Sequence, residues 1–396
     1  MGNSVSSVNV KVFSDKKTQK VMFIEANQDF VEVVCSFMTL PLGTIVRHFY
    51  NNNRKNNNLG CLTSIYQSVV NLNVAHFTDD KCRYVLVNPV NASYDLCKNL
   101  VFNLNDTGIS ATIGKATDHV EPVFLKKKGS FIITDDLTFT PLLFDTYIQL
   151  LKTLGVKDMK DLVEQTVPYN FERLYQLLMD LVFVRGWASS FTTSITSDLS
   201  QPTTAKFVIQ KSKNKVLCAQ VDNLFVELLF SFLTIPLGAV VRLTNSGFVS
   251  DCSSAIYTLI NSISKLADEN YLKSEDIKKR LLEPMVESNY LNVTDYLPQI
   301  YKEDTVKGSF LKEKASFVVS DDLQIKVSPS IKTFTEFTSD IPVDDIEVIP
   351  VSIGVQEGPL ILKLSVHSKS VLTDFFNSSQ NNVMNKLKVE PNNIQG

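Results

Sequence analysis

The sequence predicts an α+β fold with two tandem homologous domains, each a β-hairpin-containing sheet packed with several helices. Three observations lead to this prediction. The 396 residues are 44% hydrophobic and 20% charged, which is typical of a globular chain of about two or three domains. Long stretches of the sequence occur twice. Hairpin patterns and helix patterns follow one another without the regular β-α-β alternation of a parallel sheet.

The duplication is clearest in two pairs of segments. Residues 30–47 read FVEVVCSFMTLPLGTIVR and residues 225–242 read FVELLFSFLTIPLGAVVR, with 11 of 18 positions identical. Residues 124–137, FLKKKGSFIITDDL, match residues 310–323, FLKEKASFVVSDDL, at nine of 14 positions. The offset falls from 195 to 186 between the two pairs, so the second copy has lost loop residues. Such self-similarity indicates two copies of one domain.

Composition marks the boundaries of the two copies. The segment 193–204 is rich in Ser and Thr, contains Pro202 and lacks apolar periodicity, as a linker should. After Phe376 the chain is polar and rich in Asn, which is typical of a mobile terminus. We therefore predict a flexible N-terminus at 1–7, a first repeat domain at 8–195, a linker at 196–204, a second repeat domain at 205–376 and a disordered tail at 377–396.

Local patterns predict the elements of each copy. Apolar, β-prone runs around a short polar loop predict a β-hairpin at the start of both copies. Apolar residues at helical spacing predict a helix after the first hairpin, and Pro41 ends that helix and can begin the next one. The predicted strands are 8–13, 20–26, 130–134, 205–210 and 215–221. The predicted helices are 30–39, 42–50, 62–72, 143–154 and 171–182.

The repeated motifs resemble a known family. The hairpin is followed by F-V-E-x-x-x-S-F-x-T-x-P-L-G-x-x-V-R and then, after a Lys-rich approach, by S-F-x-x-x-D-D-L. This combination resembles the plant family catalogued as domain of unknown function 674, and the resemblance runs through both copies, from Val8 to Phe376. It implies a plant source and tandem copies of the domain. It brings no established activity, cofactor or catalytic residue.

The charge balance and the cysteines indicate which partners and which compartment to expect. The 39 basic and 42 acidic residues leave a net charge of −3, so we expect no nucleic-acid partner. Six cysteines without a Cys-x-x-Cys pair are interpreted as reduced thiols, and the polar N-terminus lacks the apolar centre of a secretory signal. We therefore expect a cytoplasmic protein. The apolar stretches 30–46 and 224–241 each contain a Glu and a Pro and are interpreted as buried helices.

The N-terminus carries one pattern that points to membranes. Residues 1–6, MGNSVS, fit the myristoylation pattern, in which Gly2 follows the initiator Met and Ser or Thr lies four residues further on. A single acyl chain on Gly2 would give reversible membrane contact, to which nearby lysines could add an electrostatic contribution. An unmodified terminus is the alternative, and we favour it because the pattern is loose.

A polar stripe lies on one face of the helix that follows each hairpin. It consists of Glu32, Ser36 and Thr39 in the first copy and of Glu227, Ser231 and Thr234 in the second. One interpretation makes the Glu a buried acid in a cleft, with a pKa raised by desolvation. The other is a structural contact, in which Glu pairs with Arg47 or Arg242. We favour the structural contact because the stripe recurs together with its apolar surroundings.

A pair of aspartates follows a strand in each copy. The pairs are Asp135-Asp136 and Asp321-Asp322. Paired carboxylates could hold a hard cation such as Mg²⁺, whereas neighbouring Asp residues also stabilise turns and helix caps. We favour the turn, since no third carboxylate or His lies at a fixed offset in both copies.

The standard signatures of catalysis are missing from the sequence. It contains no H-E-x-x-H, P-loop, G-x-G-x-x-G or G-x-S-x-G motif. We therefore expect no catalytic residue, metal or cofactor, and predict a non-catalytic interaction or regulatory module with an unknown protein partner. The alternative is an enzyme of unknown type, with a site in the cleft between the repeats that uses the acidic residues named above.

Overall fold

The computed structural model describes most of the chain. The described residues are 7–51, 60–103, 121–183, 203–244, 255–286, 297, 300–301, 308–312, 315–327, 330–354 and 357–379.

Ten strands lie in this described part, and they form two antiparallel five-stranded sheets. In chain order they are β1 (Val8–Asp15), β2 (Val21–Asn27), β3 (Ser130–Ile133), β4 (Phe139–Pro141), β5 (Leu162–Tyr169), β6 (Thr203–Gln210), β7 (Lys215–Val221), β8 (Phe317–Ser320), β9 (Ile325–Val327) and β10 (Ile346–Ile353). The first sheet has the order β4-β3-β2-β1-β5 and the second the order β10-β6-β7-β8-β9. Read from its other end, the second order is β9-β8-β7-β6-β10, in which each strand is the counterpart of the strand at the same position in the first order. The duplication therefore extends to the sheet topology.

The helices lie between these strands along the chain and also follow the last strand. They are α1 (Gln28–Ser36), α2 (Leu42–Asn51), α3 (Leu62–Asn71), α4 (Asp80–Val87), α5 (Tyr94–Cys97), α6 (Phe144–Thr153), α7 (Phe171–Phe183), α8 (Asn223–Ser231), α9 (Leu237–Thr244), α10 (Ala255–Asp268), α11 (Glu275–Leu282), α12 (Ile331–Thr338) and α13 (Glu357–His367). Residues 371–379 are helical as well, so the predicted tail begins inside a helix. The predicted α+β class is confirmed.

The strongest local patterns are confirmed as elements. The two predicted hairpins are β1–β2 and β6–β7, and the predicted helices are α1, α2, α3, α6 and α7. A polar side chain starts each helix that follows a hairpin: Asn27 Oδ1 accepts the Phe30 N–H at 3.2 Å, and Asp222 Oδ1 accepts the Phe225 N–H at 3.0 Å. These caps explain why the chain turns from strand to helix without a loop.

The chain folds into two compact units, and each takes residues from both repeats. Unit 1 contains the described residues of 1–40, 91–192 and 236–285, and unit 2 those of 41–90, 193–235 and 286–396. Segments 41–90 and 236–285 correspond at the offset of 195 that relates the two repeats. We call them the exchanged segments, because each unit combines the sheet of one repeat with the helical segment of the other. The boundaries predicted from the sequence divide the chain by repeat, whereas the compact units divide it by contact. The predicted boundaries therefore stay a prediction.

Each unit has a hydrophobic cluster beneath the helix that packs on its sheet. In unit 1 the buried centre is Phe23, Ile132 and Leu151, with Tyr147 of α6 packed against it. In unit 2 it is Val208, Cys218 and Val318, with Phe334 and Phe337 of α12 packed against it. Among the described residues, none of the helices combines the length and the apolar character needed to cross a bilayer.

Candidate functional site

Glu32 lies on α1 in unit 1 and is almost fully buried, with 3% of its surface exposed. Its Oε1 accepts hydrogen bonds from the backbone N–H groups of Phe124, at 2.7 Å, and Leu125, at 2.9 Å. Burial raises the pKa of Glu32, and the backbone hydrogen bonds oppose this shift without cancelling it. The carboxylate therefore binds the chain that approaches β3.

Glu227 occupies the equivalent place on α8 in unit 2, with 2% of its surface exposed. Its Oε1 accepts the backbone N–H of Leu311 at 3.0 Å and the hydroxyl of Ser309. Its Oε2 is buried and has no hydrogen-bond partner among the described residues. Burial raises the pKa of Glu227 as well. Both glutamates thus hold the same repeated F-L-K segment.

The partners predicted for the two glutamates were wrong. Neither carboxylate forms an ion pair with an arginine among the described residues. Arg47 donates instead to Asn88 Oδ1 at 2.9 Å, and Arg242 approaches the Met285 sulfur at 3.9 Å. The physical reason is that backbone N–H groups of the two F-L-K segments already lie at hydrogen-bond distance and stabilise each buried carboxylate by charge-assisted hydrogen bonds.

Residues 124–126, which we call the strap of unit 1, connect Glu32 to the exchanged segment. Two backbone hydrogen bonds, of 2.8 and 2.9 Å, join the strap to residues 271–273, and Leu125 and Leu272 form an antiparallel bridge. The strap is therefore bound on one side by a carboxylate of the first repeat and on the other by the backbone of the second.

Residues 310–312 form the strap of unit 2 in the same way. Two backbone hydrogen bonds, both of 2.9 Å, join them to residues 76–78, and Phe77 and Leu311 form the antiparallel bridge. Residues 76–78 and 271–273 are related by the repeat offset of 195. The same carboxylate, strap and segment thus recur in both units, which explains why F-V-E and F-L-K are repeated together.

Asp135 and Asp136 lie in the turn between β3 and β4. Asp136 accepts hydrogen bonds from the Thr134 hydroxyl, at 2.5 Å, and from the backbone N–H and hydroxyl of Thr138, at 3.2 and 3.0 Å. Burial opposes ionisation of Asp136, but these hydrogen bonds outweigh it and lower its pKa. Leu137 completes the turn at a φ of +64°. The Thr134 N–H donates to the Thr138 oxygen at 3.2 Å, which closes a three-residue loop over 135–137 with Asp136 as its internal acceptor.

Asp321 and Asp322 lie in the matching turn between β8 and β9 and make further contacts. Asp321 accepts the backbone N–H and the hydroxyl of Thr373, both at 2.8 Å, so it anchors the first turn of helix 371–379. Burial raises the pKa of Asp321. Asp322 accepts the hydroxyl of Ser64 at 3.2 Å, which ties the turn to the exchanged segment 41–90. Both carboxylates therefore serve contacts within unit 2.

The last two candidates from the sequence are the lipidation site and a metal site. Gly2 falls outside the described residues. Within the part of the chain that the structure describes, no group of three or more His, Cys, Asp or Glu side chains is placed to hold a metal ion.

A groove of about 370 Å³ lies on the sheet of unit 1, beside the first turn of α6. Phe13 and Phe23 face each other across β1 and β2, and their rings stack with centroids 4.7 Å apart. Tyr147 meets the Phe23 ring edge-on, at a centroid distance of 6.1 Å. Ile132 and the residues Leu142, Leu143 and Phe144 complete the apolar lining, to which Glu25 adds a carboxylate.

Charged side chains follow the groove along the sheet. Lys11 Nζ lies 3.6 Å from Glu25 Oε2 and 3.6 Å from Glu164 Oε1. Burial raises the pKa of Tyr147, and the charges of Glu25 and Glu164 raise it further, so both carboxylates act on the groove. Sequence reasoning missed this site. The alternation of Lys11 with Phe13, and of Phe23 with Glu25, could have placed all four on one face of the hairpin.

Comparison with known proteins identifies a family. A family model described as "Protein of unknown function (DUF674)" matches residues 4–113, 110–305 and 296–395. None of the curated proteins matches the chain. None of the solved structures matches it either.

Proposed function

Since the chain belongs to the DUF674 family, whose description assigns no activity, we propose from its own geometry that it is a non-catalytic interaction module. The observation that carries this proposal is that repeated acidic residues bind groups of the protein itself. Glu32 and Glu227 bind backbone groups of the straps, and Asp136 and Asp321 bind backbone and hydroxyl groups at the β3–β4 and β8–β9 turns. These four carboxylates thus help to hold each unit together.

The alternative enzyme would need one of these acids to reach a substrate. A general acid or base must come within hydrogen-bond distance of the proton that it transfers. Glu32 and Glu227 are 3% and 2% exposed and already accept two hydrogen bonds each, so a substrate would have to displace a strap. This cost favours the interaction module over the enzyme.

Each unit carries an exposed apolar side chain at the equivalent position, and each of these is a contact point for a protein partner. Phe144 begins α6 and is 84% exposed, and Ile331 begins α12 and is 87% exposed. Single exposed apolar residues are common, but one at the same position of both copies is a repeated feature. A large side chain in the first turn of an exposed helix is well placed to enter a pocket on another protein.

The test compares the wild-type chain with the double variant Phe144→Ser, Ile331→Ser in quantitative affinity purification from the native tissue. We expect a defined protein to be retained by the wild type and lost from the double variant, whose circular dichroism should be unchanged because both positions are exposed. The variant Val343→Ser, at another exposed apolar position, serves as a control and should retain the partner. A partner set unaffected by the double substitution would contradict the proposal.

Attachment to membranes through Gly2 and a cytoplasmic location are further parts of this proposal. The MGNSVS pattern supports the membrane part, and the five buried cysteines that are free among the described residues support the cytoplasmic part. Coexpression with an N-myristoyltransferase should add one acyl mass to the wild type and none to Gly2→Ala, with liposome binding lost in the variant. An unmodified wild-type mass would remove the membrane part and leave the interaction module standing.

A further inference from the structure

We propose that the groove of unit 1 is a binding site for a small organic cation, a protonated amine carried on an apolar body. The groove would be a ligand site whether or not the chain also binds a protein partner. Its volume of about 370 Å³ falls within the range of small-molecule sites, which are mostly apolar with a few polar groups that orient the ligand.

The aromatic part of the groove suits the body of such a ligand and its charge. Phe13, Tyr147 and Phe144 contribute rings to the lining, and the Phe23 ring, 1% exposed, packs beneath them. The faces of aromatic rings carry negative potential, so a cation near them is attracted while an apolar body packs against the same rings.

The charges around the groove select the sign of the ligand. Glu25 belongs to the lining, Glu164 lies on the far side of Lys11, and the three groups together give 1 − 2 = −1. Asp145 adds a carboxylate in the first turn of α6, where it offsets the positive N-terminal end of the helix dipole. A neutral ligand would gain nothing from this field, and an anion would be repelled.

Unit 2 shows that the fold does not need these residues. Val208 and Cys218 hold the places of the two stacked rings, and Gln220 holds the place of Glu25 opposite Lys206. Val348 lies opposite Val208, where Glu164 lies opposite Phe13 in unit 1. The sheet topology is nevertheless the same. The rings and carboxylates of unit 1 are therefore additions to a sheet that forms without them.

The experiment uses three probes of similar shape and different charge on the full-length chain. Phenethylammonium, 2-phenylethanol and 3-phenylpropionate are titrated at neutral pH and followed by ligand-observed NMR. We expect the ammonium to bind about tenfold more tightly than the alcohol, as one cation–π and carboxylate contact would give, and the anion to bind more weakly still. Equal affinity of the ammonium and the alcohol, stronger binding of the anion, or no binding by any probe would overturn the proposal.

Two variants copy the residues of unit 2 and locate the site. Glu25→Gln should remove the preference for the ammonium and leave the affinity for the alcohol unchanged, because only the charge is lost. Phe13→Val should weaken both probes. Glu25 is partly exposed and its ion pair lies at the surface, so Glu25→Gln should fold normally, as checked by thermal unfolding. Glu172→Gln, an acid outside the lining, is the matched control, and an equal effect of both Gln variants would place the cation elsewhere.

Discussion

At the scale of single residues, Glu227 holds its strap through one of its two carboxylate oxygens. Its Oε1 holds Leu311 N–H and the Ser309 hydroxyl, while Oε2 is buried without a hydrogen-bond partner among the described residues. A Gln side chain offers the same accepting oxygen and carries no charge that must be desolvated, and the cost of burying its amide NH2 at the place of Oε2 offsets part of that gain.

Glu227→Gln should therefore unfold within about 1 kcal/mol of the wild type, because both hydrogen bonds to Oε1 survive. Glu227→Ala should cost about 1–3 kcal/mol, since the Leu311 N–H is left buried and unpaired. Urea unfolding at neutral pH measures both. A Gln variant as damaged as the Ala variant would contradict this account and show that the carboxylate itself is required to hold the strap.

The raised pKa of Glu227 also predicts the direction of a pH effect. A folded-state pKa above the unfolded value means that the folded protein binds the extra proton, so its stabilising contribution is complete below the ordinary pKa of 4.5 and is lost as pH rises through the folded pKa. The unfolding free energy of the wild type, minus that of Glu227→Gln, should therefore fall as pH rises from 4.5. Glu32→Gln should show the same sign, since burial raises the pKa of Glu32 too. Parallel pH curves for wild type and variants would contradict this account.

At the scale of elements, the repeated P-L-G motif lets the helix of an exchanged segment approach its host closely. A Cβ atom on Gly238 of α9 would lie 2.9 Å from Pro284 Cγ and 3.0 Å from the backbone oxygen of Met38. Atoms this close must shift, and the Met38 oxygen belongs to backbone that has little freedom to move. The glycine is therefore explained by packing, because an ordinary helix position would favour Ala.

Gly238→Ala should destabilise unit 1 by about 1–3 kcal/mol, the usual cost of overpacking, despite the better helix propensity of Ala. Gly129→Ala is the control, because a Cβ atom there would meet nothing within 4 Å. Equilibrium unfolding of the two variants measures the difference. An unchanged midpoint for Gly238→Ala would mean that α9 can move away from Met38 at no cost.

The elements that the sequence predicted are those with a local cause. The hairpins have alternating apolar residues and the helices α1 and α8 have caps at Asn27 and Asp222, so a short window of sequence holds the whole signal. The edge strands β5 and β10 were missed because at least half of the side chains in each are exposed and each contains a Pro. The partners of Glu32 were missed because the strap lies about 90 residues further along the chain, as the separation of 92 to Phe124 shows.

At the scale of the whole molecule, the exchange of segments 41–90 and 236–285 is the feature that sequence could not reveal. Duplication makes residues 76–78 and 271–273 equivalent, so either could in principle pair with either strap. The local sequence pattern is the same whether a segment pairs with the strap of its own repeat or with that of the other repeat. The two pairings differ only in how the chain connects the segment to the strap. In the folded protein each segment pairs with the strap of the other repeat, so each unit needs both repeats to be complete.

This dependence predicts the behaviour of a chain that is cut between its repeats. A specific protease site inserted within residues 196–201 and cleaved in the folded full-length protein should leave two fragments that remain one complex on size exclusion. They should stay together because the backbone hydrogen bonds that join residues 124–126 to 271–273, and residues 310–312 to 76–78, each link one fragment to the other. Cleavage should lower the unfolding midpoint and make it depend on concentration, since the fragments then unfold as a bimolecular pair. Native Lys126 and Lys273 should also form a chemical cross-link between the fragments, because the strap and residues 271–273 lie side by side. If each repeat instead held its own helical segment, the two fragments would elute separately. Lys273 would then form a cross-link to Lys312 within the C-terminal fragment.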